Sequence, residues 1–396
     1  MKRICMWSLC LTALVAVSGS SASHAQTEFS ASIQSRGSGV SVSYFYDNLS
    51  PSGQWFEEPT YGWCWTPYDV SAEWRPYQDG HWEYTDYGWS WVSNEQFGWA
   101  TYHYGRWFFD DSYGWSWMPG TEWAPAWVAW RYDDNYCGWA PLPPNAGWDQ
   151  SSGLAFRSED VIPSQEWCFV PRAHVLDVSL RLQVTSVARN VTLIGRSHDA
   201  TRFEVRNGRP ANVGLDVTLV EQSIRRPVPR VQIVDVDTPA RGRGQQAGNG
   251  RVAYYRPVVH AAPAQEAPAA ATRRTMVPDV ELQRQRDAQQ RRLESDLKSE
   301  RSRLARDQSN EMRSHAQGPG ADEIRRQQAA EQAAFDAHAA QQRQVLGQRM
   351  QRQVIKPAKG NNSGKPGNQN DQANRGNHGK PAKPDKPGKP DKPGGN

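Results

Sequence analysis

The sequence predicts a mainly β Trp-repeat domain, a small mixed α+β second domain, then solvated helices and a disordered tail. Three observations carry this reading. Sixteen of the 18 Trp lie between Trp55 and Trp148. A Tyr-Gly-Trp-x-Trp unit recurs with its starts 26 residues apart, at Tyr61, Tyr87 and Tyr113. Past residue 279 Gln, Arg and Glu take over, and after Lys356 the chain becomes Lys, Pro, Gly and Asp. Only 37% of the 396 residues are hydrophobic, so a core must be made of aromatic rings instead of aliphatic chains. The same composition excludes collagen, a long coiled coil and a polytopic membrane protein.

At the amino terminus, Lys2 and Arg3 precede an apolar run of 14 residues from Ile4 to Val17, followed by Ser23-His24-Ala25. A basic start, a short apolar stretch and small residues at the cut predict a secretory signal peptide over 1–25, cleaved before Gln26. Fourteen residues are too few to span a bilayer. Cys10 precedes most of the apolar run and lacks small residues before it, so lipoprotein processing is set aside. Residues 26–43, rich in Ser and Gly, read as a linker.

The repeat domain is assigned to 44–150. Each unit is Gly-x-Trp, a turn, then Tyr-Gly-Trp-x-Trp. The copies begin at Gly53-Gln54-Trp55, Gly80-His81-Trp82 and Gly105-Arg106-Trp107, and a degenerate fourth spans Trp127 to Pro141. Strand side chains alternate between faces, so Tyr113, Trp115 and Trp117 share one face while Gly114 and Ser116 share the other. Turn formers such as Asp110-Asp111-Ser112 and Asp133-Asp134-Asn135 separate the halves. Each unit is therefore a β-hairpin. A lone hairpin is marginal, so the copies are expected to join into one antiparallel meander, a curled sheet or a small open barrel.

The second domain is placed at 151–237, with strands over 175–184, 190–195, 202–206 and 228–236. Asn207-Gly208 marks a tight turn. Asp216 caps a short helix through Ile224 with Val217, Val220 and Ile224 on one face. Pro, Ala and Arg mark a linker over 238–278. Charged helices follow over 279–353, broken at Gly318-Pro319-Gly320. Leu293, Leu297 and Leu304 fall at helical spacing, but Glu300, Asp307 and Glu311 spoil a heptad. Solvated helices are preferred to a dimeric coiled coil, and 354–396 reads as a disordered basic tail.

Charge is strongly polarised. The chain is +4 overall, yet residues 26–150 carry −12, residues 151–260 carry +5 and residues 261–396 carry +9. An acidic head on a basic tail points to two different contacts. Export disfavours nucleic acid as the partner of the basic part and favours anionic envelope polymers or lipid headgroups.

The run from Tyr44 to Pro144 resembles a family of bacterial exported proteins catalogued as domain of unknown function 6600. The motifs are Trp74-Arg75-Pro76-Tyr77, Gly98-Trp99-Ala100-Thr101-Tyr102-His103-Tyr104-Gly105-Arg106-Trp107, Trp123-Ala124-Pro125-Ala126-Trp127-Val128 and Gly138-Trp139-Ala140-Pro141-Leu142-Pro143-Pro144. Asn207-Gly208 and Arg226-Pro227-Val228-Pro229 extend the likeness to about residue 240. Phe97 stands where another Trp is expected. The resemblance implies export and a Trp-rich repeat region, and brings no activity or ligand.

Candidate ligand-binding residues are Trp63, Trp65, Trp89, Trp91, Trp115 and Trp117, which could form an aromatic platform for sugar faces. Arg75, Arg106 and Arg131 sit beside Trp and could stack on rings of a neighbouring hairpin or grip an acidic sugar. The competing reading is that all these rings are core. Cys64 and Cys137 occupy equivalent repeat positions and are the candidate disulfide, with three unpaired thiols as the alternative. Asp110-Asp111 and Asp133-Asp134 suit turns better than calcium, and His81 and His103 lack a partner at metal-ligand spacing. No metal or cofactor is expected. The preferred function is a non-catalytic exported envelope protein whose repeats bind or assemble on an envelope component such as polysaccharide. A protein–protein scaffold is the alternative, and a glycan hydrolase using turn carboxylates such as Glu83 and Asp86 is another.

Overall fold

The computed structural model describes residues 39–71, 74–156, 162–261, 267–269, 279–315 and 321–351. The expected signal peptide, most of the expected 26–43 linker, the expected break at 318–320 and the expected 354–396 tail lie outside them. Among the described residues the helices are α1 (Ser43–Leu49), α2 (Gly98–Thr101), α3 (Asn190–Arg196), α4 (Val217–Ile224), α5 (Asp279–His315) and α6 (Ala321–Gln351). None of the described helices is long and apolar enough to cross a membrane.

Four antiparallel hairpins form the body, as the repeat spacing predicts. They pair Gly53–Glu58 with Gly62–Pro67, Gly80–Thr85 with Gly88–Ser93, Arg106–Asp110 with Gly114–Met118, and Val128–Tyr132 with Tyr136–Pro141. In every hairpin a Trp faces a Trp across the ladder: Trp55 with Trp65, Trp82 with Trp91, Trp107 with Trp117, and Trp130 with Trp139. The glycine two residues before the first Trp makes room for the ring of the second. A Cβ built on Gly53 would lie 2.4 Å from Trp65 Cζ2, and one on Gly80 would lie 2.7 Å from Trp91 Cζ2. The turn chemistry also repeats. Glu58, Asp110 and Asp133 each accept two backbone N–H groups just beyond themselves, ending on Tyr61, Tyr113 and Tyr136. Gly62, Gly88 and Gly114 then take positive φ, +74°, +80° and +72°, which glycine adopts at little cost.

The hairpins do not make the single meander expected. The first and third share a four-stranded sheet, meeting at Trp65 and Trp117. The fourth forms another four-stranded sheet with Cys168–Pro171 and His198–Asp199. The second sits inside a seven-stranded sheet with Phe203–Arg206, Arg209–Asn212, Arg230–Asp235, Arg251–Tyr254 and Arg243–Gly248. Rings bridge these sheets: Trp82 lies 4.7 Å from Trp130 and 5.5 Å from Trp139, centroid to centroid.

This topology also corrects the domain boundaries. Residues 151–237 are not a separate domain, because their strands complete the sheets of the second and fourth hairpins. The expected linker over 238–278 contributes Arg243–Gly248 and Arg251–Tyr254 to the same sheet, and Val259–His260 pairs in parallel with Val40–Ser41 from the presumed leader linker. Two expected strands are not strands. Over 175–184 the buried apolar residues are Val175, Leu180 and Val184, while Val178 and Leu182 are 73% and 82% exposed. That spacing does not match a period of two, and the chain forms 3₁₀ turns. Asn190 and Leu193 bury at a spacing of three, and the segment is α3. Elsewhere the local signals hold. Asp216 accepts a hydrogen bond from Thr218 N at the start of α4, and Asn207 and Gly208 take φ of +49° and +70° at their turn.

The long helices are not solvated all round. Antiparallel α5 and α6 bury Leu293, Leu297, Leu304, Phe335 and Ala339 against each other and against Ala188 of the body. Glu300 accepts from Ser186 Oγ at 3.0 Å and Val187 N at 3.1 Å, and Glu331 accepts from Thr192 Oγ1 at 2.9 Å. The acids that spoil the heptad are thus contacts to the body: Asp307 and Glu311 lie within 4.0 Å of Arg189.

Gly80→Ala is expected to lower stability by about 2–3 kcal/mol, since the new methyl meets Val92 O and the Trp91 ring. Gly153→Ala, where a Cβ meets nothing, should cost only about 1 kcal/mol through its positive φ. Urea unfolding midpoints of the two variants check the order.

Candidate functional site

The candidate aromatic platform is the core of the protein. Trp65, Trp89, Trp91 and Trp117 are fully buried, Trp115 is nearly so, and only Trp63 is half-buried. A buried indole N–H left without a partner costs about 1–3 kcal/mol, so where each one points matters. Trp65 donates to Leu49 O, Trp89 to Leu215 O, Trp117 to Tyr104 O and Trp139 to Tyr77 O, at 2.7–3.1 Å. Trp91 is enclosed by Tyr77, Trp82, Tyr102 and Trp139. Trp115 packs edge-on to Phe109 beneath α6. Phe97, in place of an expected Trp, fills the space between Trp65 and Trp74. Trp65, Trp89, Trp91, Trp115 and Trp117 are therefore core residues in place of an open platform, while Trp63 keeps part of its ring accessible.

The three arginines are structural in the same way. The Arg106 guanidinium lies 3.8 Å above the Trp127 ring and donates to Ala146 O and Gly105 O. That is the stacking on a neighbouring hairpin's ring which strand geometry requires. Burial pulls its pKa down to about 10. Arg75 donates to Trp167 O at 2.8 Å, and Arg131 donates to Ser197 Oγ and O at 2.9 and 2.6 Å. All three tie the hairpins to the segments that follow them.

Cys64, Cys137 and Cys168 are separate buried thiols, so the expected Cys64–Cys137 bridge is not formed. Equivalence in the repeat misled here, because Cys64 lies in the sheet of the first and third hairpins and Cys137 in that of the fourth. Burial, with Glu58 and Asp110 nearby, pushes the Cys64 thiol up to about 12, and burial raises the other two.

The candidate hydrolytic carboxylates are similarly engaged. Glu83 accepts from Gln246 Nε2 at 2.5 Å and lies 3.5 Å from His81. Asp86 accepts from Ile233 N at 3.4 Å. His103 stacks on Trp123 with Nδ1 3.0 Å from Ala124 O, and burial lowers its pKa to about 4. Among the described residues no cluster of three metal-ligating side chains occurs.

A group that sequence reasoning passed over is Glu95. It accepts from Trp74 Nε1 at 2.6 Å and from Tyr102 Oη. Enclosure pushes its carboxyl up to about 8, with Asp79 adding to the rise and the two hydrogen bonds opposing it. Also overlooked was the seam where α5 and α6 meet the first and third hairpins, lined by Tyr68, Arg292, Gln342 and Arg349. Its one sequence signal was the buried leucine spacing of α5.

These features define a class: a protein whose body is an aromatic core of Trp-paired β-hairpins strapped by a helical hairpin. Residues 46–146, the four-hairpin segment, match a family described as Family of unknown function (DUF6600). It is the family that the Trp-Arg-Pro-Tyr and Gly-Trp-Ala-Thr-Tyr-His motifs resemble, and the match ends before the downstream stretch. No curated protein and no solved structure matches the chain.

Two outcomes are expected. Iodoacetamide should label none of the three thiols until denaturant is added, and reductant should leave the melting temperature unchanged. A carboxyl raised above its unfolded value contributes stability that is full below about 4.5 and is lost as pH rises through about 8. Burial also raises Glu166, to about 7, whereas His103 is lowered and acts in the opposite sense. The difference between parent and Glu95→Gln isolates Glu95: urea midpoints should show the parent losing stability relative to the variant between pH 5 and pH 8.

Proposed function

We propose that this is a non-catalytic exported protein of the cell envelope, in which the Trp repeats form a rigid body and the basic carboxy-terminal part contacts an anionic envelope component. The observation that carries the reading is the charge polarity, −12 over residues 26–150 against +9 over 261–396. With the repeat rings spent in the core, charge is the recognition chemistry left on the surface. Arg291, Lys298, Arg301 and Arg306 of α5 are exposed, and eight of the nine Lys after residue 260 lie beyond Gln351. The basic start, apolar run and Ser23-His24-Ala25 support export. Acidic polysaccharide is the partner that fits such a surface best. A scaffold using the Trp face would have few accessible ring anchors, Tyr61 and half-buried Trp63 among them.

Cosedimentation of the mature chain with an acidic polysaccharide should be strong at low salt and fall steeply as salt rises. A chain ending at Lys356 should bind more weakly, and acrylamide should quench only the small share of Trp fluorescence from half-buried rings such as Trp63 and Trp148, equally with and without the polymer. Salt-independent binding, or protection of Trp from quencher by the polymer, would overturn the charge-based reading.

A further inference from the structure

The seam between the helical strap and the hairpin body holds a half-open cavity of about 80 Å³. One wall is the Tyr68–Ser71 turn after the first hairpin, and the other is the facing sides of α5 and α6. Two guanidinium groups line it. Arg349 of α6 lies beside Gly114 and donates through Nη2 to Pro67 O at 3.1 Å. Arg292 of α5 donates to Asp69 O at 3.5 Å. Gln289 and Gln342 add amide groups, and Leu293 and Leu346 close the apolar side.

Each described hydrogen bond of these guanidiniums goes to a backbone carbonyl, a neutral acceptor. Arg292 is exposed, and Arg349 is the more enclosed charge of the two, lowered to about 10 by burial alone; such a charge is normally compensated by an opposite one. Arg106 is a useful contrast. It too is buried without a carboxylate, but it lies flat on the Trp127 ring and holds two carbonyls. Arg349 holds one carbonyl and borders a cavity. The acid at the cavity is Asp69, which sits in the left-handed region at φ +55° and presents its carbonyl to Arg292. A volume of 80 Å³ exceeds several times what one water needs and suits a compact oxyanion.

We propose that this seam is a binding site for a small oxyanion, a phosphate or a phosphomonoester end group, held between Arg292 and Arg349 with Gln289 and Gln342 as further donors. Bridging α5 to α6 beside the first hairpin, the anion fastens the helical strap to the body. The site is independent of the surface contact proposed above.

The test uses the full mature chain at constant ionic strength, with sodium chloride exchanged for sodium phosphate. The melting temperature should stay flat below the Kd and then rise with the logarithm of phosphate concentration, as binding to the folded state alone requires. Arg349→Gln and Arg292→Gln should each weaken the phosphate Kd about tenfold or more, since each removes a charge-assisted contact. Arg202→Gln, at an arginine paired with Glu204 and away from the lining, should match the parent. If Arg349→Gln does not fold, Arg292→Gln carries the test alone, because its side chain is exposed. Glycerol phosphate binding as tightly as inorganic phosphate would identify an end group as the natural source, and inorganic phosphate binding alone would identify the free ion. A rise linear in phosphate concentration, or one equal in all variants, would overturn the site.

Discussion

Everything in this fold depends on one contact, the Trp–Trp pair across each hairpin. Two indoles facing each other on neighbouring strands bury a large apolar area, and aromatic pairs add about 0.5–1.5 kcal/mol beyond that area. The pair imposes a condition on the backbone. In the first three hairpins the second ring leans across the strand opposite, so the residue two before the first Trp has no room for a side chain. The recurring Gly-x-Trp is the record of that constraint. In the fourth hairpin Val128 holds the corresponding place, and Trp139 directs its N–H to Tyr77 O.

A core of indoles brings polar atoms inside with it, and the connections meet many of them, although Nε1 of Trp82, Trp91, Trp123 and Trp148 has no hydrogen-bond partner among the described residues. The carbonyls of Leu49, Thr101, Tyr104 and Leu215, each just after or within a short connecting segment, accept from Trp65, Trp107, Trp117 and Trp89. Buried arginine follows the same logic, taking carbonyls and ring faces in place of carboxylates. The acids of the repeat region are needed elsewhere. Glu58, Asp110 and Asp133 hold the amides of the hairpin turns, Asp133 also pairing with Arg196, and the buried Arg75 and Arg106 take carbonyls instead.

What could be read in advance was what local physics decides. The turn after Asn207, the cap at Asp216 and the four hairpins each depend on residues within a few positions of one another. Failures came where a short apolar run was compatible with both periods, as at Asn190–Arg196, or where Pro and Arg resembled a linker. Residues 243–254 illustrate the second case: little in Arg243-Gly244-Gln245-Gln246 suggests a strand until the second-hairpin sheet is there to extend. The candidate site suffered most. Period two correctly put Trp115 and Trp117 on one face, but alternation says nothing about what covers that face.

The sequence by itself determined the hairpins, their glycines, their turn acids and the chemical nature of the core, because each is a relation between near neighbours. The tertiary structure alone decided that the first hairpin joins the third, that the second and fourth anchor separate sheets, and that two charged helices close over the seam. The physical reason is the repeat itself. All units present nearly the same edges and the same rings, so the choice among them is made by contacts between residues far apart in the chain, such as Trp130 with Asn212 and Glu300 with Ser186.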